Sequence, residues 1–267
     1  MSAKLLPLAL LGLMSAIATA QTPPTQAADD DDLIGADRPG IADSSSVIGR
    51  KHFQIETGVT YEKRRSPDGV SWDLLTPVLL RVGVNAQWEV RFETNGFGYL
   101  RQEDGSVSRG FSPISFGFKY HFQDSKGPKK PSLGVIGRIF PASGSSAFAS
   151  TMATYDVRLS ADWDFAPQWT LNPNVGWASY EDASAGRFSA FLGAVTLNYA
   201  KTSKLSYFFD TAYQSPEGKF ARPSLIFDAG VAWITGKDTQ WDISIGQGAA
   251  GDSPARPFVA FGFCRRF

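Results

Sequence analysis

From Phe53 to the last residue, apolar side chains recur at every second position, which is the period of a β-strand and not of a helix. No other feature of the chain restricts the fold as much. Trp88, Val90, Phe92 and Thr94 alternate with Glu89, Arg91, Glu93 and Asn95, and Tyr155, Val157, Leu159, Ala161, Trp163 and Phe165 alternate with Asp156, Arg158, Ser160, Asp162 and Asp164. Phe53, Ile55, Thr57, Val59 and Tyr61 stand against His52, Gln54 and Glu56, and Ile114, Phe116, Phe118, Tyr120 and Phe122 against Ser115, Gly117, Lys119 and His121. About twelve such segments are expected. The weaker ones cover residues 72–82, 133–139, 169–177, 188–199, 205–213, 225–233, 241–245 and 259–267, and the register of 188–199 is left open. Pro77 and Pro173 fall inside two of these runs, where each removes a ladder hydrogen bond, so a bulge or a late strand start is expected at both.

A soluble sandwich and a closed barrel in lipid can both produce this alternation. Three features favour the barrel. The apolar face carries no charge except Arg265. Connections alternate in length: residues 83–87, 166–168, 200–204 and 235–240 are short turns, whereas 96–112, 141–153 and 247–256 are longer loops, with 123–132 the exception. Short periplasmic turns and long outer loops have this arrangement. Finally, Trp88, Trp163, Phe165, Trp169, Tyr199, Trp233, Trp241 and Phe267 all sit beside short turns or at the C-terminus, where a membrane interface suits rings that are apolar on the body and polar at one edge. A second group, Tyr61, Trp72, Trp177, Tyr180 and Tyr213, falls at the opposite strand ends. The expected fold is therefore all-β, a transmembrane antiparallel β-barrel of about 12 strands over residues 52–267, in contact with outer-membrane lipids.

Composition removes competing classes. Lys plus Arg and Asp plus Glu both number 26, so there is no global field to gather nucleic acid, and no nucleic-acid partner is expected. One cysteine and two histidines are a poor supply for a soft-ligand metal site, so neither metal nor cofactor is expected. Residues 1–20 read as a secretory signal, with Lys4 at the positive end, an apolar stretch and an Ala18-Thr19-Ala20 cleavage site, which directs the chain to the Gram-negative envelope. Residues 21–35 read as a disordered acidic leader whose four consecutive aspartates have nothing to bury and could hold Ca²⁺ only weakly. Residues 36–51 form a distinct N-terminal segment.

Two stretches resemble known proteins. Val259, Phe261, Phe263 and Phe267 alternate back from a terminal aromatic, which resembles the last-strand signal read by the outer-membrane assembly machinery; Arg265 departs from that pattern. Ala36-Asp37-Arg38-Pro39-Gly40, then Ser44-Ser45-Ser46-Val47, then Gly49 to Gly58 resembles the opening of the outer-membrane transporter-like family of the MetA pathway of phenol degradation. That resemblance implies an outer-membrane channel for small, often aromatic or hydrophobic compounds, with a small-molecule solute as partner; enzymatic activity is not expected, on the separate ground of the histidines below.

A barrel of about twelve strands has a narrow lumen, wider than one that side chains fill completely and narrower than a porin's. Inward residues that could line a solute path are Glu56, Arg81, Glu89, Arg91, Glu93, Lys119, Arg138, Arg158, Asp162, Asp210 and Asp228, joined on the wall by Asp156, Asp164, Asp242 and Arg266. Their mixed signs suit cross-strand pairing, and Arg81 is expected opposite Glu89 across the short turn. Asp37, Arg38 and Pro39 precede the first strand and either hang in the periplasm or fold into the lumen as a plug, with Arg38 seeking wall acids. A lipid-modifying enzyme is the rival class, along with a structural or adhesive barrel. His52 near the periplasmic rim and His121 on the inner face lie in no nucleophile motif. Cys264 reads as a small buried hydrophobe, and residues 98–110 as an extracellular loop.

Overall fold

The period-two runs become strands in the computed structural model, which describes residues 33–66, 69–182, 186–216, 218–251 and 257–267. Among these there are fifteen: β1 (Phe53–Ser66), β2 (Gly69–Leu75), β3 (Val78–Gly83), β4 (Trp88–Thr94), β5 (Phe97–Arg101), β6 (Val107–Phe111), β7 (Ile114–Gln123), β8 (Ser132–Phe140), β9 (Thr154–Ala166), β10 (Trp169–Asp182), β11 (Gly186–Thr202), β12 (Leu205–Gln214), β13 (Ser224–Ile234), β14 (Thr239–Gly251) and β15 (Phe258–Arg266). All pair antiparallel, and β15 returns to β1, with Gln54 opposite Arg266 and Glu62 opposite Phe258. The wall therefore closes on itself through β15 and β1, as a strand structure in hydrocarbon requires. Twelve strands circle the barrel: β1, β3, β4 and β7 to β15. The signal sequence and most of the acidic leader lie outside the described residues, but Ile34, assigned to that leader, is buried and its N–H donates to the Lys237 carbonyl at 2.8 Å.

Of the remaining three strands, β2 belongs to the segment expected over 72–82, while β5 and β6 correct a loop assignment. β2 continues β3 upward in one register against β1, Thr60 facing Leu75 and Thr57 facing Val78, with the break at Pro77. The Pro77 carbonyl accepts from Gly58 N and Thr57 Oγ1, so the wall below begins late, at Val78. β5 and β6 extend β4 and β7 in the same way, and residues 96–112 and 98–110, read as loop, form a hairpin with Gly98 opposite Gly110. Its alternation is only five residues long in each arm and carries Arg101 and Arg109 on the outer face, which hid it. β14 likewise runs on to Gly251, into the stretch expected as loop. Pro173 causes neither a bulge nor a late start. It lies inside β10, where the ladder to β9 omits positions 172 and 173, and the Ala161 carbonyl takes the Asn172 side-chain amide instead at 2.6 Å. In β11 the open register resolves with Ala190, Leu192, Ala194 and Thr196 inward.

Outside, Val90, Phe116, Phe118, Val157, Leu159, Phe209, Ile243, Ile245 and Phe261 are all exposed. So much contiguous apolar surface is unstable in water and stable against lipid tails. At the end of the barrel shared by Phe53 and Phe267, Trp88 stacks on Tyr120 with ring centroids 4.3 Å apart, Trp169 meets Tyr199 at 4.8 Å and Trp241 meets Phe263 at 4.7 Å, while Trp233 stands opposite Trp241. The indole N–H groups find partners too: Trp163 donates to the Pro128 carbonyl and Trp241 to Thr235. Arg265 reaches Thr239 Oγ1 at 2.6 Å, keeping its charge at the rim. Tyr180 belongs to neither girdle: its neighbours Asn174, Gly176 and Ala178 in β10 point inward, and Tyr180 shares their face.

Candidate functional site: the barrel lumen

The same alternation that points rings at lipid forces charges inward. Arg81, Arg91, Lys119, Glu56, Glu89, Asp210 and Asp242 are almost wholly buried, and Arg138, Asp156, Asp228 and Arg266 nearly so. Such charges are costly to bury singly and persist only when paired and hydrogen-bonded. Arg81 is paired: its Nε and Nη2 each donate to Glu89 at 2.9 Å, a bidentate fork, and its Nη1 donates to Glu56 at 3.0 Å. The residue directly opposite Arg81 is Arg91, however, and Glu89 faces Gly83, so the expected pair forms on the diagonal. Two guanidinium groups side by side need shared acids. Arg91 finds them in Glu89, Glu93, Asp37 and Asp43. Arg138 bonds Glu93, Asp43 and Asp156, and Arg158 bonds Asp156.

Asp37 and Asp43 come from the N-terminal segment, which runs inside the barrel and is held by wall side chains along its length. Glu56 accepts from Asp37 N at 3.0 Å and Arg38 N at 2.9 Å. Lys119 Nζ grips the Asp37 carboxylate at 2.8 and 2.9 Å. On the far wall Asp242 receives the Arg38 guanidinium at 3.1 Å, Gln240 donates to the Arg38 carbonyl, and Asp210 accepts from Ile41 N. Pro39 follows a cis peptide bond. Further along, Asn172 and Asn174 clasp the Asp43 backbone, and Asp162 accepts both the N–H and the hydroxyl of Ser45. Glu89 accepts from Ile48 N, and Ser46 O takes both Arg81 and Lys119. Burial alone would raise the Asp37 carboxyl, but Arg81, Lys119 and Arg91 around it hold it well below the usual carboxylate range.

Two glycines make room for this packing. A Cβ on Gly83 would overlap the Gly49 carbonyl, and one on Gly262 would overlap both the Asp242 carboxylate and the Arg38 guanidinium. Both histidines also serve the segment, His52 through the Ile48 carbonyl at 2.7 Å and His121 through the Ser45 carbonyl at 3.1 Å, with His121 Nε2 on Asp124 at 2.9 Å. Cys264 is buried on the inner face of β15, opposite Glu56 and Gln240.

Above the segment lies a cavity of about 430 Å³ lined by both apolar and ionic side chains. Pro77, Val78, Leu79, Pro113 and Phe140 are apolar; Arg38, Glu56, Glu93, Arg138 and Arg158 are ionic. A second cavity of about 330 Å³, beneath residues 141–153, shares Phe140 and Arg158 with the first. The lumen-facing apolar residues Leu79, Phe140, Ile136, Leu192 and Phe208 escaped the sequence reading, which sought charges on the inner face and left the β11 register open. Arg81, Arg91, Glu93, Lys119, Arg138 and Arg158 converge on one wall around the segment. Asp210 and Asp228 face each other on the opposite wall, with Asp242 on β14 beyond them. Asp164 is exposed at the turn end and bonds Thr170, apart from the cluster.

A family model described as "Putative MetA-pathway of phenol degradation" matches residues 36–266. The chain matches no curated protein sequence. Among solved structures it is similar to the COG4313 outer membrane channel from Pseudomonas putida F1, with a TM-score of 0.70 and 10% identity over 86% of this chain and 99% of that one. It is also similar to the KdgM porin in complex with disordered oligogalacturonate (TM-score 0.52, 12% identity, 80% and 99% covered) and to the NanC porin (0.52, 11%, 79% and 98%). At such identities the likeness is one of fold.

Proposed function

The chain belongs to the MetA-pathway phenol-degradation family, and from that premise we propose that it is an outer-membrane β-barrel through which small amphipathic molecules diffuse passively. The observation that carries this reading is the cavity above the N-terminal segment, whose lining interleaves the apolar Leu79 and Phe140 with Glu56, Glu93, Arg138 and Arg158. A molecule with an aromatic or aliphatic body and one polar end can lay each part against matching wall, whereas a fully hydrated sugar leaves Leu79 and Phe140 unsatisfied. The solute enters past residues 141–153, rests on the segment, and passes when the segment yields. Residues 34–50 are thus the constriction, and the Asp37, Arg38 and Pro39 stretch lies where wall bases and wall acids both hold it.

Proteoliposome swelling tests the reading. Phenol and benzoate should permeate faster than a hexose of similar mass, and Leu79→Ser with Phe140→Ser should lower the aromatic rate severalfold while leaving the hexose rate unchanged. Equal loss for both solutes would overturn the amphipathic path. Arg38→Ala should raise single-channel conductance, and an unchanged conductance would count against the segment as constriction.

A further inference from the structure

The β1–β2–β5–β6 extension has an outer face that the channel reading does not use. Its register brings Lys63, Trp72 and Arg101 into one row, with Tyr61, Leu74, Tyr99 and Arg109 in the next row below. Trp72 stacks on Tyr61 with centroids 5.2 Å apart, and Lys63 Nζ lies 4.3 Å from the centre of the Trp72 ring. Arg101 and Arg109 are exposed, and none of the three cations forms an ion pair among the described residues. The nearby acids Glu62 and Asp73 face each other in the next row of the ladder, one residue out of phase with Lys63 and Trp72, and so on the inner face. Three bases interleaved with rings, against the exposed acids Glu103 and Asp104 in the turn above, leave a net positive surface complementary to an anion.

The height of the patch identifies the anion. From Trp88 in the turn-side girdle to Arg101 is about 30 Å of rise at ~3.3 Å per residue and a strand tilt of about 40°, against an apolar band about 25 Å tall. The cations therefore stand just beyond the hydrocarbon, at headgroup level in the outer leaflet, while Leu74, Phe97 and Phe111 beneath them remain among acyl chains. We infer that Lys63, Arg101 and Arg109, on the Tyr61–Trp72–Tyr99 platform, form a binding site for the phosphorylated sugar headgroup of an outer-leaflet glycolipid. Ring faces suit the sugar, and the guanidinium forks suit phosphate. The inference rests on the barrel's residence in the outer membrane and is independent of what passes through its lumen.

The test titrates the folded full-length barrel with bisphosphorylated lipid A in detergent micelles, with dephosphorylated lipid A and inorganic phosphate as separate arms. Wild type should bind the bisphosphorylated form at least tenfold tighter than the dephosphorylated form, and millimolar phosphate should not displace it. Lys63→Gln/Arg101→Gln/Arg109→Gln should lose at least tenfold in affinity, whereas Lys201→Gln/Lys204→Gln at the opposite end should stay within twofold of wild type. Heat-modifiable migration confirms folding, and unchanged single-channel conductance separates this result from any failure of the channel reading. If the triple variant does not fold, Arg101→Gln and Arg109→Gln singly should each weaken binding at least twofold. Retained affinity in the folded triple variant, or in both single variants, would overturn the site, as would equal binding of dephosphorylated lipid A or displacement by free phosphate.

Discussion

At the residue scale, alternation made the inward charges legible and left their partners hidden. A period of two states that Arg81, Arg91 and Lys119 share a face, but their ligands Asp37 and Asp43 lie 48 to 82 positions away for Arg91 and Lys119, in a segment with no periodicity to follow. Arg91 is the hub, touching four carboxylates. Removing one member of a buried ionic cluster costs about 3–5 kcal/mol because its partners are left uncompensated. In Arg91→Ala the chain can escape that cost by releasing the segment. The expected outcome is a barrel that remains heat-modifiable, with faster protease cleavage before Phe53 and higher conductance. Unchanged cleavage would show that Arg91 does not hold the segment. The pH dependence has a fixed sign. The docked Asp37 titrates below the ordinary aspartate value of 3.8, so its contribution to docking is fully present above that value and is lost as pH falls through the lowered one. Conductance should therefore be flat from pH 8 to 5 and rise only in stronger acid; a rise near pH 6 would contradict the Asp37 assignment.

At the element scale, legibility followed hydrocarbon contact. Strands that cross lipid, such as β4, β7 and β9, carry long apolar stripes and were read nearly residue by residue. β5 and β6 stand partly above the band, where Arg101, Ser108 and Arg109 are stable in headgroups and water, so the apolar signal that marks a strand fades there although backbone pairing continues. The barrel wall does not need this hairpin, because β4 and β7 pair directly below it, Trp88 opposite Tyr120 and Thr94 opposite Ile114. Replacing residues 97–111 with a short turn should therefore leave a closed, heat-modifiable barrel with its conductance within about twofold of wild type; failure to assemble would show that closure is nucleated from the extension. Gly83 makes the contrasting case at a strand end. Gly83→Val places a branched side chain against the Gly49 carbonyl, and the expected result is an intact barrel whose segment is displaced, read as protease sensitivity before Phe53.

At the scale of the whole molecule, two stability problems are solved by one arrangement. A twelve-stranded wall is too wide for its own side chains to fill, and a lumen of unpaired charges around water would leave Arg81, Arg91 and Lys119 crowded together. The segment supplies two carboxylates to that crowded wall and one guanidinium to the wall of Asp210, Asp228 and Asp242, so it packs the lumen and balances each side. The cost of an obstruction is then offset by the ionic pairs it completes, and the segment stays docked without any covalent tie. Deleting residues 34–50 separates these roles. The closed sheet persists, because none of its β1–β15 register involves the segment, but the lumen fills with water and the wall bases lose their partners. Conductance should rise severalfold, hexose swelling should approach the aromatic rate, and the melting temperature should fall by several degrees. If selectivity for aromatic solutes survives the deletion, the cavity walls alone discriminate, and the segment is a structural filler instead of the constriction.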